Sequence, residues 1–368
     1  MALGPELRFL DRTRVLHEGK PYLFFGGTDY HRFASHPDVI RALREVAETD
    51  GLSCAGSRTT TGNHPLLVEL ERKLAAFLGV EEAILCSSGY LSNAVVLEAV
   101  ASEFQRFFID SGAHSSLAAP ASRLPQGTVA TFRHADPEDL ERELKSRLRP
   151  GERPLILTDG VVPVDGEMPP LAAYWTAARD LGGALLVDDA HGVAVVGPSG
   201  KGSPEEAVLP AQGFIQTGTL SKGLGAFGGL VAGSAGLADK IRAKSQAFVG
   251  ATPIPPPIAA AAICSIRILQ ANPNLIAGLR ARALCVRERV RAMGLHVPPS
   301  PAPILSITHH DKGKNLRLHS LLLERGIYPP FIHYPGSPPG GHFRFALSSC
   351  HADNDVDLLL EAVGTSCE

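Results

Sequence analysis

Short apolar runs alternate with amphipathic stretches through the middle of the chain, the pattern of an α/β domain. Runs at 83–87, 106–110, 128–133, 154–158, 184–188, 214–217 and 229–232 predict strands. Several are only four or five residues long and rich in Ile, Leu, Val and Phe, as strands buried on both faces are. Helical patterns fall between many of them. Leu66, Leu67, Leu70, Leu74, Phe77 and Leu78 share one face of a helix that stops at Gly79. Asp136 as N-cap, with Pro137 in the first turn, opens another that buries Leu140, Leu144 and Leu148.

After Ser234 the texture changes. A Pro-rich segment, Ala251-Thr-Pro-Ile-Pro-Pro-Pro, leads into long helices expected at about 258–269 and 275–293. Beyond residue 303 the chain reads as strands at 304–307 and 343–347, helices at 315–325 and 353–363, and a Pro/Gly-rich loop at 334–341. That is a smaller α+β unit. The expected division is an N-terminal segment 1–45, a large domain 46–245 and a small C-terminal domain 246–368, and 368 residues are more than one core usually serves.

Ligands of open α/β sheets bind beyond the carboxyl ends of the strands, and four segments with chemical character fall at such ends. In Gly218-Thr-Leu-Ser-Lys-Gly-Leu-Gly, Lys222 stands among small and hydroxyl residues just after a strand, which suits a Schiff-base lysine. Thr219 and Ser221 can bind phosphate oxygens, although the segment alone also fits a glycine-rich surface loop. Its spacing is not that of a P-loop. Leu185-Leu-Val-Asp-Asp-Ala-His-Gly delivers Asp188 to the sheet edge, able to keep a pyridinium nitrogen charged, with His191 one helical turn further on. An Asp/His metal site or a capping carboxylate is the alternative there. Cys86-Ser-Ser-Gly-Tyr-Leu-Ser-Asn offers the backbone N–H groups of Ser88, Gly89 and Tyr90 at a helix start, a phosphate cradle. Asp110-Ser-Gly-Ala-His-Ser-Ser places His114 beyond a strand, where it can stack on a flat ring.

Composition narrows the partners. A net charge of -3 and the lack of any basic run argue against nucleic acid. Cys54, Cys86, Cys264, Cys285, Cys350 and Cys367 form no Cys-x-x-Cys pair and no zinc spacing, and read as free thiols. No secretory start and no membrane-length apolar run are visible, so a cytoplasmic enzyme acting on small molecules is expected.

A phosphate cradle, a stacking histidine, a ring-nitrogen carboxylate and a lysine, arriving in this order, together describe a site for pyridoxal 5'-phosphate (PLP). The chain resembles the α-oxoamine synthase family of fold-type-I PLP enzymes over about residues 25–360. The likeness extends to Gly56-Ser-Arg, Gly62-Asn-His-Pro, Asp165-Gly-Glu-Met-Pro-Pro-Leu and Arg344-Phe-Ala-Leu-Ser-Ser-Cys-His. It implies an aspartate-aminotransferase-like α/β fold, with a mostly parallel seven-stranded sheet and a smaller α+β C-terminal domain. By the same resemblance Lys222 is the Schiff-base lysine and the proton shuttle at Cα. Asp188 is the partner of the ring nitrogen, His191 of the phenolic oxygen, and His114 stacks on the ring. Thr219, Ser221 and the Ser88–Tyr90 backbone hold the phosphate, while Thr252 reaches the phosphate of a partner subunit, which implies a homodimer with shared sites. Arg344 clamps the amino-acid carboxylate.

Where such enzymes carry Asn-Asp-Tyr or Asn-Asn-Tyr this chain reads Thr28-Asp29-Tyr30, so Thr28 is the substitute carboxylate partner. Pro163 and Leu67 stand where a serine and a histidine are common. The implied reaction is decarboxylative condensation of an amino acid with an acyl thioester, carried by CoA or an acyl carrier. The wording Val-Asp-Asp-Ala-His-Gly leans to the 8-amino-7-oxononanoate synthase branch, hence L-alanine with a pimeloyl thioester for biotin. Transamination or retro-aldol cleavage on the same fold is the alternative, and a catalytically degenerate subunit is a second.

Overall fold

The computed structural model describes residues 3–210, 212–333 and 337–368. The chain opens with three short antiparallel strands, β1 (Arg8–Phe9), β2 (Arg14–His17) and β3 (Lys20–Leu23), followed by helices α1 (Pro37–Asp50) and α2 (Pro65–Leu78). The α/β part then runs β4 (Glu82–Cys86), α3 (Gly89–Val100), β5 (Arg106–Asp110), α4 (Ser115–Ala121), β6 (Val129–Phe132), α5 (Pro137–Arg147) and β7 (Pro154–Asp159). It continues through α6 (Leu171–Asp180), β8 (Ala184–Asp188), α7 (Ser203–Glu206), β9 (Phe214–Thr219), β10 (Gly229–Gly233), α8 (Ala235–Lys244) and α9 (Gln246–Val249). Two long helices, α10 (Pro256–Ala271) and α11 (Asn274–Ala292), lead to β11 (Ile304–Ile307), α12 (Lys312–Glu324), β12 (Phe331–Ile332), β13 (His342–Ala346) and α13 (Asp353–Cys367). Of the loop expected at 334–341, Tyr334, Pro335 and Gly336 lie outside the described residues.

The central sheet has the order β4-β10-β9-β8-β7-β5-β6, and β10 alone runs against the rest. The expected seven-stranded, mostly parallel sheet is what forms. All six residues of β7 are buried, as a strand covered by helices on both faces requires. Register decides where the site falls: Asp159 is aligned with Asp188, and Asp188 with Thr217, so the carboxyl ends of β7, β8 and β9 share one edge.

The C-terminal sheet, ordered β11-β13-β12, carries α11, α12 and α13. Leu23, Phe25 and Tyr30 from the beginning of the chain are buried in that same core. Two backbone bonds, Leu23 N–H to Gly326 O at 2.7 Å and Tyr328 N–H to Leu23 O at 2.9 Å, tie β3 to it. Tyr30 thereby sits in the seam between the two sheets.

Candidate active site

A cavity of about 250 Å³ opens at that strand edge, lined by Ser88, Gly89, Tyr90, His114, Asp188, His191, Thr219, Ser221 and Lys222 among others. The sequence-identified groups from β4, β5, β8 and β9 therefore converge. Asp188 ends β8 and is buried. Its Oδ2 accepts from Asn93 Nδ2 at 2.6 Å and Ser116 Oγ at 2.9 Å, and its Oδ1 from the Ala190 N–H at 3.2 Å. Asn93 is oriented in turn by Thr217, whose hydroxyl donates to Asn93 Oδ1 at 2.7 Å. Asp159 lies beside Asp188, and burial together with that neighbouring charge raises its pKa well above the usual carboxylate range. It accepts the His114 N–H at 2.7 Å. His114 caps α4, with Nδ1 2.7 Å from Ser116 Oγ. One polar network thus holds Asp188, Asp159 and His114 at the cavity.

Lys222 lies in the turn after β9. Burial, aided by the Arg344 charge, lowers its pKa to about 8 against the opposing pull of Asp188. Its Nζ is 2.8 Å from His191 Nε2, and His191 Nδ1 is 2.7 Å from the Tyr30 hydroxyl. His191 is not one helical turn along a helix; it sits in a tight turn whose Gly192 and Val193 N–H groups return to the Asp189 carbonyl. Burial depresses its pKa well below the ordinary histidine value, with Lys222 and Arg344 adding to the effect, so the ring is neutral.

Arg344, on β13, reaches the same line from the C-terminal sheet. Its Nε donates to the Pro163 carbonyl at 2.6 Å and its Nη1 to the Gly27 carbonyl at 3.4 Å. Pro163 has no side-chain donor, yet its carbonyl orients the guanidinium. The loop that carries Pro163 is braced by Arg287, fully buried in α11, which donates to the carbonyls of Asp165, Ala302 and Ile304. Thr28 follows Gly27 directly, which puts it beside Arg344 in the chain path. Leu67, in α2, is fully buried in an apolar core and is a packing residue.

Residues 22–363 match the model of the family "Aminotransferase class I and II". A putative 8-amino-7-oxononanoate synthase of Desulforudis audaxviator is 33% identical over 360 residues, 98% of this chain and 93% of that one. The 8-amino-7-oxononanoate synthase of Halorhodospira halophila is 36% identical, covering 96% of this chain and 88% of its own. The chain belongs to the α-oxoamine synthases. Its fold agrees with that of Sphingomonas wittichii serine palmitoyltransferase at a TM-score of 0.89, with 28% identity over 97% of this chain and 90% of that one.

The cofactor of this α-oxoamine synthase is pyridoxal 5'-phosphate, and the cavity fits it. Helix α3 opens at Ser88 without a side-chain cap, leaving its first N–H groups for an anion. Gly89 is required there, because a Cβ at that position would lie 2.6 Å from Thr219 Cβ. Thr219 Oγ1 donates to the Gly228 carbonyl at 2.8 Å and accepts the Ser221 N–H at 3.1 Å, which shapes the turn leading to Lys222. Thr252 is exposed and does not line this cavity. Asn93, Ser116 and Tyr30 lie inside motifs quoted above but received no role there, and Asp159 ends an apolar run in register with Asp188. Motif membership and strand alignment were the signals available.

Proposed function

We propose that this α-oxoamine synthase joins a small amino acid, L-alanine foremost, to a pimeloyl-class acyl thioester. The products are CO₂, free thiol and an α-amino ketone. One observation carries the reading: Lys222, His191 and Tyr30 form a hydrogen-bonded line at the cavity, and Arg344 is fixed on the carbonyl of Pro163, which lines the same cavity. A proton acceptor and a carboxylate clamp thus stand at one site. The names of the relatives support the substrate pair.

Bound PLP supplies an electron sink conjugated with the amino-acid Cα. Asp188, fixed by Asn93 and Ser116, offers its carboxylate to the ring nitrogen. Arg344 holds the substrate carboxylate through the guanidinium N–H groups not engaged by Pro163, a bidentate role that lysine fills poorly. Lys222, its pKa brought down to about 8 by burial, is the base that takes the proton from Cα, with its free-amine fraction rising as the pH approaches 8. The Cα–carbonyl bond then forms as the C–S bond breaks, the thiolate takes a proton, the carboxylate leaves as CO₂, and a proton returns to Cα.

A homodimer belongs to the same proposal. Thr252 lies on the surface, Tyr90 lines the cavity at 52% exposure, and Phe227, between Lys222 and β10, is 54% exposed. Exposed aromatic side chains of this kind suit a second copy of the chain.

The test is thiol release by the PLP-loaded protein given glycine, L-alanine or L-serine with short, pimeloyl or long-chain acyl-CoA. Thiol release and an amino-ketone mass from L-alanine with pimeloyl-CoA are expected. A preference for L-serine with long chains would replace the substrate pair. Conversion of the cofactor to its pyridoxamine form by an amino donor alone, without thiol release from any pair, would replace the reaction.

A further inference from the structure

Tyr30 is fully buried, comes from the N-terminal segment and touches His191, Lys222's neighbour, at 2.7 Å. Because His191 is neutral, it carries one ring proton, and the site must decide which nitrogen holds it. The surroundings contain that decision. Burial pushes the Tyr30 hydroxyl up to about 12, so it remains a phenol with a single proton to donate. The positive charge of the Arg344 guanidinium acts on that oxygen, which favours an O–H dipole pointing away from the cation. The phenol thus points its proton at His191 Nδ1, 2.7 Å away. The imidazole proton is left on Nε2, which faces Lys222 Nζ at 2.8 Å. In the loaded enzyme Lys222 is bound to the cofactor and no longer competes as an ammonium donor for Nε2.

We propose that Tyr30 is a positioning residue that fixes the His191 tautomer, so that Nε2–H is the proton offered to the phenolic oxygen of the cofactor. The Arg344 charge biases the direction of the line, so the group that clamps the substrate carboxylate also bears on the hydrogen bonds at the cofactor. The inference rests on the placement of His191 and Arg344 given above. Its test needs PLP but no turnover, so failure of the condensation reading leaves it standing.

The readout is the pH at which the absorbance band of the bound cofactor changes. The charged and titratable groups facing this line are Lys222, His114 and Arg344 around His191, with Asp188 and Asp159 facing Lys222. All of them are kept in Tyr30→Phe. Without the phenol the imidazole proton is free to sit on either nitrogen, and the phenolic oxygen loses part of its hydrogen bond and binds its own proton more tightly. The transition is expected to move up by roughly one pH unit. In a His191→Asn background, adding Tyr30→Phe is expected to move it no further, because Tyr30 acts through His191. An unmoved or lowered transition in Tyr30→Phe, or a full additional shift in the double variant, would overturn the inference. Should Tyr30→Phe fail to hold the cofactor, nitrogen-15 spectra of ring-labelled histidine in the wild-type holoenzyme decide the matter. Protonated Nε2 and bare Nδ1 at His191 are expected, and the reverse overturns it.

Discussion

At the scale of single residues, a second histidine braces the turn that presents His114. His134 Nδ1 lies 2.6 Å from Asp110 Oδ1, and its Nε2 lies 3.6 Å from Glu167 Oε2. Asp110 also accepts the N–H groups of Gly112 and Ala135, so one carboxylate ties the end of β5 to the loop after β6. Hydrogen bonds to Asp110 and then Glu167 raise the His134 pKa to about 10 against the cost of burial. A raised folded-state pKa favours the protonated fold. The stabilisation is complete below about 6.5, declines as pH rises, and is gone above about 10. Thermal unfolding of the wild type is therefore expected to lose midpoint temperature across that window relative to His134→Gln, whose profile should be flatter there. Parallel profiles would show that the pair contributes nothing. Residues of this kind were the hardest to find from the sequence. The tandem Asp188-Asp189 illustrates why: the first faces the cavity, while the second is buried among Ser203 and Gln216 and is pushed up to about 7. Strand position separates them. Tyr30 stood inside the Thr28-Asp29-Tyr30 motif, but only the packing of the chain's beginning against the C-terminal core brings it to His191.

At the scale of elements, the sheet was legible because buried strands advertise themselves as apolar runs: β5, β8 and β11 fall at the expected residues, and the other central strands within one or two. What escaped was the polar beginning. Strands β1 to β3 are half exposed and only two to four residues long, so they carry no strong periodic signal, and α1 buries only Val39 outright. Histidine capping hid other boundaries. His36, His64 and His114 each accept the N–H two residues on through Nδ1 at 3.2 Å, a role usually read from Ser, Thr, Asp or Asn. The start of α3 is where an element most directly meets the chemistry. Gly89→Ala would drive a methyl group into Thr219, and overpacking of this sort costs about 1–3 kcal/mol. Relief requires α3 to move away from the turn that carries Lys222, opening the phosphate cradle. Titration of the cofactor-free protein with PLP should then show affinity weakened by at least about tenfold, which corresponds to about 1.4 kcal/mol. Unchanged affinity would mean that the phosphate is not held at α3.

At the scale of the whole molecule, one chain assembles the ring-binding groups but leaves Thr252 on the surface and the aromatic rings of Tyr90 and Phe227 half exposed. The segment from Ala251 to Pro255, just before α10, is outside the cavity its own chain forms. If Thr252 serves the phosphate of a second copy, every site takes Lys222 from one subunit and Thr252 from the other. That arithmetic makes a mixing experiment decisive. A Lys222→Ala homodimer lacks the proton shuttle in both sites, and a Thr252→Ala homodimer lacks the cross-subunit contact in both. In a mixed dimer, one site combines both defects, while the other has an intact Lys222 and receives an intact Thr252. Co-refolding the two variants at equal concentration makes about half of the dimers mixed, each with one complete site, so roughly a quarter of all sites are restored. Recovery of PLP retention and thiol release above both parents, together with a two-chain mass in sedimentation, is the expected outcome. Activity that is only the average of the parents would place Thr252 in its own chain's site or in none.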